Sequence, residues 1–304
     1  MRVHFAVDEY LMTIVAMRRV LILILCCLSS SVVAEPRRYL VDVQIVQQPQ
    51  EQYYIDLLRL VLNASKAPDE VIEYRFAKHQ LSQARWIAAV VQDQSNNVLW
   101  TMTDIEREQT MRAIRVPLLK GLIGYRLLVI RKSDEAKFAK INTKQQLLAL
   151  SAGQGMHWPD TEILRSNQVK VSEAMAKENL YKMLVAKRFD FFPRGATEVE
   201  LEAELIRSQN LMVEPRLILH YPAALYFFVN KKNTELAQRL EKGWAIILKN
   251  GEFEKLFLAS ERVKSALAIL KQPNRRVIEL DNPFLPSETP LNTPKYWWNI
   301  STQP

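Results

Sequence analysis

Cysteine and glycine are both scarce in this 304-residue chain, and each scarcity excludes a class of chemistry. The two cysteines, Cys26 and Cys27, lie in an apolar stretch near the start. The rest of the chain therefore has no thiol for disulfides, thiolate metal sites or nucleophilic catalysis. The seven glycines form no dinucleotide fingerprint, phosphate loop or nucleophile elbow.

Histidine is also rare. Beyond the first stretch the chain has His79, His157 and His220, and none of them stands at helical spacing from the histidine and carboxylate partners of a zinc site. We assign these side chains to packing or to the surface. The sequence predicts no metal and no cofactor.

One short apolar segment near the start is typical of an export signal. Two arginines precede a nine-residue apolar run (residues 20–28), and small residues follow as far as Ala34. A basic region, a short apolar run and a Val-x-Ala ending indicate a signal peptide, whereas a membrane anchor needs roughly 20 apolar residues. We predict cleavage after Ala34, so that residues 1–34 are removed, translation beginning at Met17 or Met12, and a periplasmic mature protein.

The composition is that of a globular protein, with 48% hydrophobic and 24% charged residues, and the length suits one large or two medium domains. The formal net charge is +8. In an exported protein this excess favours an anionic ligand or partner, or serves solubility, and we expect no nucleic-acid partner.

Strand-like and helix-like patterns alternate along the mature chain, which predicts an α/β fold with largely parallel sheets. The first unit reads strand, helix, strand, helix, strand at residues 39–47, 51–63, 71–77, 84–91 and 98–103, followed by a charged loop and a return strand at 125–131. The second unit opens at Thr143, where Gln146 completes a capping box. It continues through a glycine loop at 153–155.

Two chain crossings, near residues 130 and 221, predict two lobes joined by two strands with a cleft between them. We assign residues 35–130 and 221–272 to the first lobe and residues 131–220 to the second. The proline-rich tail, residues 273–304, keeps large apolar groups such as Trp297 and Trp298. A disordered tail rarely keeps such groups, so we expect it to lie extended on the first lobe.

The segment that ends the third strand resembles the bacterial extracellular solute-binding proteins of family 3, which bind polar amino acids. Their strand ends in a T-x-T-x-E-R-like pattern before a turn and a return strand. Thr101, Thr103, Glu106 and Arg107 match it with one extra residue, and residues 116–118 stand at the turn. The resemblance implies a two-lobed, type II periplasmic-binding-protein fold in which both threonines and the arginine face a ligand.

In that family the arginine of the pattern binds the ligand's α-carboxylate, which implies this role for Arg107. A guanidinium suits it because it is permanently charged and bidentate. Arg115 lies in the same loop and is the alternative, because of the extra residue. The competing interpretation is a surface ion pair between Arg107 and Glu106 or Glu108.

On the second lobe the family uses a glycine-hydroxyl turn at a helix N-terminus. The resemblance places Gly155 and Thr161 there, and adds Trp158, which would stack on a ligand or close the lobe core.

The family's second-lobe strand ends in an aspartate that binds the ligand's ammonium, but here Arg194 stands beside Gly195. Glu198 would have to turn inward to replace that aspartate. With two arginines facing the cleft, we expect a preference for dicarboxylates or acidic amino acids. The alternative is that Arg194 pairs with Glu198 or Glu200 and leaves the cleft.

Together these features predict a non-catalytic periplasmic protein that closes on a small anionic or zwitterionic solute, for an inner-membrane transporter or a sensor kinase. We expect a monomer. The alternatives are a dehydratase-type enzyme on the same fold, and a sensory or accessory protein that has lost tight binding.

Overall fold

The computed structural model describes residues 35–299, and the predicted signal peptide lies outside them. The strands are β1 (Arg37–Val43), β2 (Glu70–Phe76), β3 (Asn97–Met102), β4 (Met111–Ile114), β5 (Tyr125–Arg131), β6 (Ser151–Gly155), β7 (Lys170–Ala174), β8 (Phe192–Gly195), β9 (Leu211–His220), β10 (Leu225–Asn230) and β11 (Arg276–Glu279). The α-helices are α1 (Gln52–Ser65), α2 (Gln83–Gln92), α3 (Ile105–Thr110), α4 (Glu135–Phe138), α5 (Lys144–Leu148), α6 (Pro159–Ser166), α7 (Lys177–Val185), α8 (Ala203–Ser208), α9 (Thr234–Lys249), α10 (Glu252–Ala259) and α11 (Glu261–Leu270).

The first lobe is built on a five-stranded sheet in the order β2-β1-β3-β10-β4. Strands β1 and β3 pair in parallel, whereas β10 is antiparallel to both β3 and β4. Every residue of β3 and of β10 is buried, as expected for central strands covered on both faces. Helices α1 and α9 pack against each other through their apolar stripes.

The second lobe contains a four-stranded sheet, β11-β9-β5-β8, and the parallel pair β6-β7. Here β5 pairs antiparallel with both β8 and β9. The sheet pairing therefore places β5 in the second lobe, whereas the sequence had assigned residues 125–130 to the end of the first. The limits of the lobes as independent units stay a prediction.

The chain crosses between the two lobes at residues 115–124 and 221–224. The two crossings approach closely at Gly124, where an added Cβ would lie 2.2 Å from the carbonyl oxygen of Tyr221. No other residue type fits this contact without moving the backbone.

Two segments predicted as loops are regular elements. The charged segment after β3 forms α3 and then β4, whose residues continue the first sheet beside β10. The glycine segment forms β6, because its backbone pairs residue by residue with β7. The predicted capping box is confirmed, since Thr143 and Gln146 bond to each other's backbone at the start of α5.

The last described residues, 276–299, form a C-terminal strap that contacts both lobes. Strand β11 pairs with β9, and Asp281 exchanges two hydrogen bonds with Asn167 at the end of α6, with distances of 2.8 and 3.1 Å. Further on, the carbonyl of Phe284 accepts from the Ile105 amide at 3.0 Å. The strap thus ties the two lobes together and does not lie on the first lobe alone, because the free edge of β9 offers it hydrogen bonds.

Candidate functional site

Arg107 is the centre of the site. Asp104 caps α3 by accepting from the Arg107 amide at 2.7 Å and also pairs with its Nε at 3.2 Å. Nη1 donates to the Thr101 hydroxyl and to the Met102 carbonyl, at 2.8 and 2.6 Å. Nη2 donates to the Gln83 side chain at 2.6 Å. The guanidinium is buried, and burial lowers its pKa, with Asp104 opposing this shift.

The remaining N–H group of Arg107 forms a hydrogen bond with the second lobe. Nη2 also donates to the carbonyl oxygen of His157, on the second lobe, at 2.9 Å. His157 has a positive φ of 68°, a conformation that histidine adopts more readily than most residues but that is uncommon outside glycine. The four Nη–H groups of Arg107 therefore all donate to groups of the protein itself, and Nε lies in the ion pair with Asp104.

Next to Arg107 lies an open groove of about 620 Å³, bounded by α2 and α3 of the first lobe and by the segment from Met156 to Glu162 of the second. We call it the outer groove. Its lining residues are Ala84, Ile87, Ala88, Val91, Gln92, Asp104, Glu106, Arg107, Thr110, Met156, His157, Trp158, Pro159, Thr161, Glu162 and Glu173. Three of the predicted ligand-binding residues, Arg107, Trp158 and Thr161, lie in it.

Gly155 and Thr161 serve local structure at this wall. An added Cβ at Gly155 would lie 2.3 Å from the Trp158 ring, so the glycine makes room for the indole. The Thr161 hydroxyl donates to the Gly155 carbonyl at 2.9 Å. The hydroxyl proton is thus used in a hydrogen bond to the backbone.

A second set of charges lies on the second lobe around two buried arginines, and we call Arg126, Asp160, Arg194, Glu198 and Glu202 the deep cluster. Arg126, on β5, is 2.7 Å from Asp160 and 3.6 Å from Glu198, and its side chain is 4% exposed. Arg194 forms a bidentate pair with Glu202, at 2.8 and 2.9 Å, and lies 3.2 Å from Glu198. Each arginine therefore has two carboxylate partners.

The surroundings of the deep cluster complete its hydrogen bonding. Tyr221, on the second crossing, donates to Asp160, and Tyr181 and Lys177 both donate to Glu202. Burial alone would raise the pKa of Glu202. Arg194 and Lys177 outweigh burial and lower the pKa to about 2.

Arg194 therefore follows the alternative stated above: it pairs with carboxylates of its own segment and is not among the residues that line the outer groove. The stronger partner is Glu202, not Glu200. Its guanidinium also lies 5.2 Å from the centroid of the Trp158 ring and 5.1 Å from that of Phe192. The basis for the expected dicarboxylate preference is thus removed.

Three further predicted residues have partners of their own. Arg115 pairs with Glu108 at 2.5 Å, is 42% exposed and does not line the groove. Thr103 donates to the same glutamate at 2.7 Å. Glu198 turns inward, as the prediction required, but it accepts from the Gly195 amide at 2.8 Å and lies beside the cluster arginines.

A smaller polar contact lies on the first-lobe side of the interface. Glu51 accepts from the Trp100 indole at 2.8 Å. Burial raises the pKa of Glu51, while Trp100 and Arg262 oppose the shift. Arg262, on α11, lies over the Tyr54 ring at 4.9 Å and donates to the carbonyl of Thr197 on the second lobe at 3.3 Å.

Sequence reasoning missed Arg126, Glu202 and Glu51. A single arginine inside the apolar strand YRLLVI was a usable signal, because a buried arginine requires a carboxylate partner. Glu202 carried no such signal, since it is one of four glutamates that alternate with apolar residues from Glu198 to Glu204.

No protein-family model and no curated protein sequence matches this chain. Solved structures do. An ancestral arginine-binding protein bound to arginine matches with a TM-score of 0.54 at 14% identity, over 74% of this chain and 98% of the other. A histidine kinase sensor domain with similarity to periplasmic binding proteins matches with a TM-score of 0.53 at 15% identity, over 73% and 95%.

An ancestral amino-acid-binding protein, a precursor of cyclohexadienyl dehydratase, matches with a TM-score of 0.52 at 14% identity, over 73% of this chain and 94% of the other. The chain has the type II periplasmic-binding-protein fold. This confirms the fold class predicted from the sequence. At such low identities the likeness concerns the fold. Among the described residues, no helix has the length and apolarity that crossing a membrane would require.

Proposed function

We propose that this protein is a non-catalytic receptor that binds a small organic solute in the outer groove and responds by lobe closure. One observation carries the proposal: Arg107, on the first lobe, contacts the His157 carbonyl on the second at the edge of a groove lined by both lobes. A solute in such a groove contacts both lobes only when they are closed.

The groove has the size of a small-molecule site. Its volume of about 620 Å³ falls within the range of roughly 300–1,000 Å³ that is usual for ligand pockets. Its lining combines apolar side chains with polar and charged ones. A ligand that touches both walls stabilises the closed arrangement by its difference in affinity for the closed and open states.

A carboxylate-bearing ligand, expected from the resemblance, finds no free donor on Arg107. It would have to displace both the Gln83 side chain and the His157 carbonyl from Nη2. Exchanging two charge-assisted hydrogen bonds for two others gives little net affinity. We therefore place the solute against the groove wall, with Arg107 as a contact between the lobes.

We propose that the receptor works in the periplasm, for a transporter or a sensor kinase. The leader-like start of the sequence supports export. The structural neighbours include amino-acid-binding proteins and a kinase sensor domain, which supports both kinds of partner. A partner would distinguish the closed from the open arrangement of the lobes.

The test is a thermal-shift screen of amino acids, amines, dicarboxylates and short peptides, followed by small-angle X-ray scattering with any hit. We expect a hit to raise the melting temperature and to reduce the radius of gyration or its spread. Recovery of a chemically converted compound would instead identify an enzyme.

Two tryptophan variants on α2 make the test specific. Ala88→Trp fills the groove, whereas Arg85→Trp adds the same side chain at an exposed position outside the groove lining. We expect Ala88→Trp to abolish the ligand response and Arg85→Trp to keep it. An unchanged response in Ala88→Trp would refute the groove as the binding site.

A further inference from the structure

We infer that the outer groove is selective for a small organic cation with an apolar body, such as an alkyl or aryl amine or guanidine. The inference rests on the proposed function, since it names the class of solute for the same groove. It reverses the charge that the sequence led us to expect.

One wall of the groove is an apolar helix face. Ala84, Ile87, Ala88 and Val91 follow each other on α2 at the spacing i, i+3, i+4 and i+7, which places them on one side of the helix. Val91 is 40% exposed. These side chains line open space, so an apolar group entering the groove would remove them from water.

The opposite wall, on the second lobe, adds three apolar side chains to the groove. Met156, Trp158 and Pro159 line it, and Met156 is 37% exposed. A flexible thioether and an indole adapt to flat or linear hydrocarbon groups. The two walls therefore suit the body of an alkyl or aryl compound.

The charged groups of the groove are mostly carboxylates: Asp104, Glu106, Glu162 and Glu173 line it, and Arg107 is the one arginine or lysine in the lining. Arg165 pairs with Glu162 and Glu173 from outside, at 2.7 and 3.0 Å. Four negative charges against these two positive ones leave an excess of two negative charges. His157 is the other titratable group in the lining.

The hydrogen bonding of these groups also favours a cation. The Glu106 carboxylate forms no hydrogen bond or ion pair with any residue in the described part of the chain. The four Nη–H groups of Arg107, by contrast, all donate to the protein, and its Nε pairs with Asp104. The groove therefore offers acceptors to an ammonium or guanidinium and no free guanidinium donor to an anion. A cation gains both Coulomb attraction and charge-assisted hydrogen bonds.

The experiment compares two probes of similar shape and opposite charge, 2-phenylethylamine and 3-phenylpropanoate, by isothermal titration calorimetry on the full mature chain. We expect the amine to bind roughly tenfold more tightly, because the groove carries the unpaired Glu106 carboxylate and an excess of negative charge. Binding of the amine should weaken as salt is added, since the carboxylates lie at a solvent-exposed edge.

Two matched variants locate the effect. Glu106→Gln removes the unpaired carboxylate and should weaken amine binding about fivefold, the size expected for an exposed charge pair. Glu178→Gln makes the same change at an exposed position on α7 that does not line the groove, and should leave amine binding unchanged. Both glutamates are exposed, so both variants should fold as the parent does.

The outcomes separate this inference from the proposed function. Tighter binding of the carboxylate, or an amine affinity that does not change in Glu106→Gln, overturns the cation preference and leaves the solute receptor in place. If neither probe binds, but another solute raises the melting temperature of the parent and not that of Ala88→Trp, the cation preference is refuted and the solute receptor is kept. If no solute raises the melting temperature of the parent more than that of Ala88→Trp, both the cation preference and the proposed receptor are refuted.

Discussion

The deep cluster, on the second lobe, and the outer groove, lined by both lobes, meet at α6, yet their charged groups are paired in opposite ways. In the deep cluster Arg126 and Arg194 are almost fully buried and each has two carboxylate partners. In the groove, Glu106 has no partner among the described residues and the excess charge is negative. Arg107 also lines the groove, but its four Nη–H groups all donate to the protein itself.

The difference shows which of the two regions is available to a ligand. Taking a charge out of water costs several kcal/mol, so a buried arginine is tolerated only with its partners in place. A solute entering the deep cluster would have to replace such a partner. In the groove the Glu106 carboxylate is exposed, and a cation can bind it without breaking an internal ion pair.

The largest expected effect comes from removing a buried arginine. Arg194→Met keeps the apolar stem against Trp158 and Phe192 but leaves Glu202 and Glu198 without their main partner. We expect the free energy of unfolding to fall by roughly 3 kcal/mol, measured by urea denaturation.

The matched control is Arg165→Met, beside the groove. Arg165 also has two carboxylate partners, but its side chain is 42% exposed. Exposed pairs contribute about 0–1 kcal/mol, so this variant should be almost neutral. Equal losses in the two variants would contradict the contrast between the regions.

The second prediction concerns the stability of the protein at acidic pH. The pKa of Glu202 is lowered from 4.5 to about 2 in the folded protein, so its contribution to stability is present above pH 4.5 and is lost as the pH falls towards 2. The shift corresponds to on the order of 3 kcal/mol. Urea denaturation at pH values between 7 and 2 should show this loss.

Glu202→Gln isolates that contribution. The variant should be less stable than the parent at pH 7, because Arg194 loses its ionic partner, but its stability should fall less steeply below pH 4.5. Parallel pH profiles for the variant and the parent would show that other groups control the acid response.

The strap should have a smaller effect. Asn167→Ala removes both hydrogen bonds to the backbone of Asp281 and leaves that amide without a partner, which should cost about 1–2 kcal/mol in urea denaturation. Asn179→Ala, at an exposed position on α7, is the control and should change stability by less than about 0.5 kcal/mol. If the two variants behave alike, the strap is not a specific tie between the lobes.

The smallest effect is expected at Glu51, and it has the opposite sign. Glu51→Gln keeps an acceptor for the Trp100 indole and removes a carboxylate whose pKa is raised by burial. A raised carboxyl pKa means that the charged form is disfavoured in the folded state, so at pH 7 the variant should gain up to about 1 kcal/mol. A loss of stability at pH 7, measured by urea denaturation, would show that the attraction of Arg262 outweighs burial.

Local sequence patterns were sufficient for the secondary structure and the fold class. Period-two and period-3.6 patterns predicted most strands and helices, and the Thr143 capping box formed as expected, because these features depend on neighbours a few residues apart. The order of elements, with two crossings, predicted the two-lobed fold that the structural neighbours share.

The tertiary structure decided which acceptors the arginines bind. Glutamates follow Arg194 at four, six and eight residues along the chain. Only the folded structure shows that the last of them, Glu202, forms the bidentate pair. The engagement of Arg107 depends on His157, fifty residues away on the other lobe. The strength of an ion pair depends on distance and burial, and neither quantity can be read from spacing along the chain. For this reason the sequence by itself determined where the charges stand in the chain and which fold carries them, and the folded arrangement decided which charges neutralise one another and which still face an open groove.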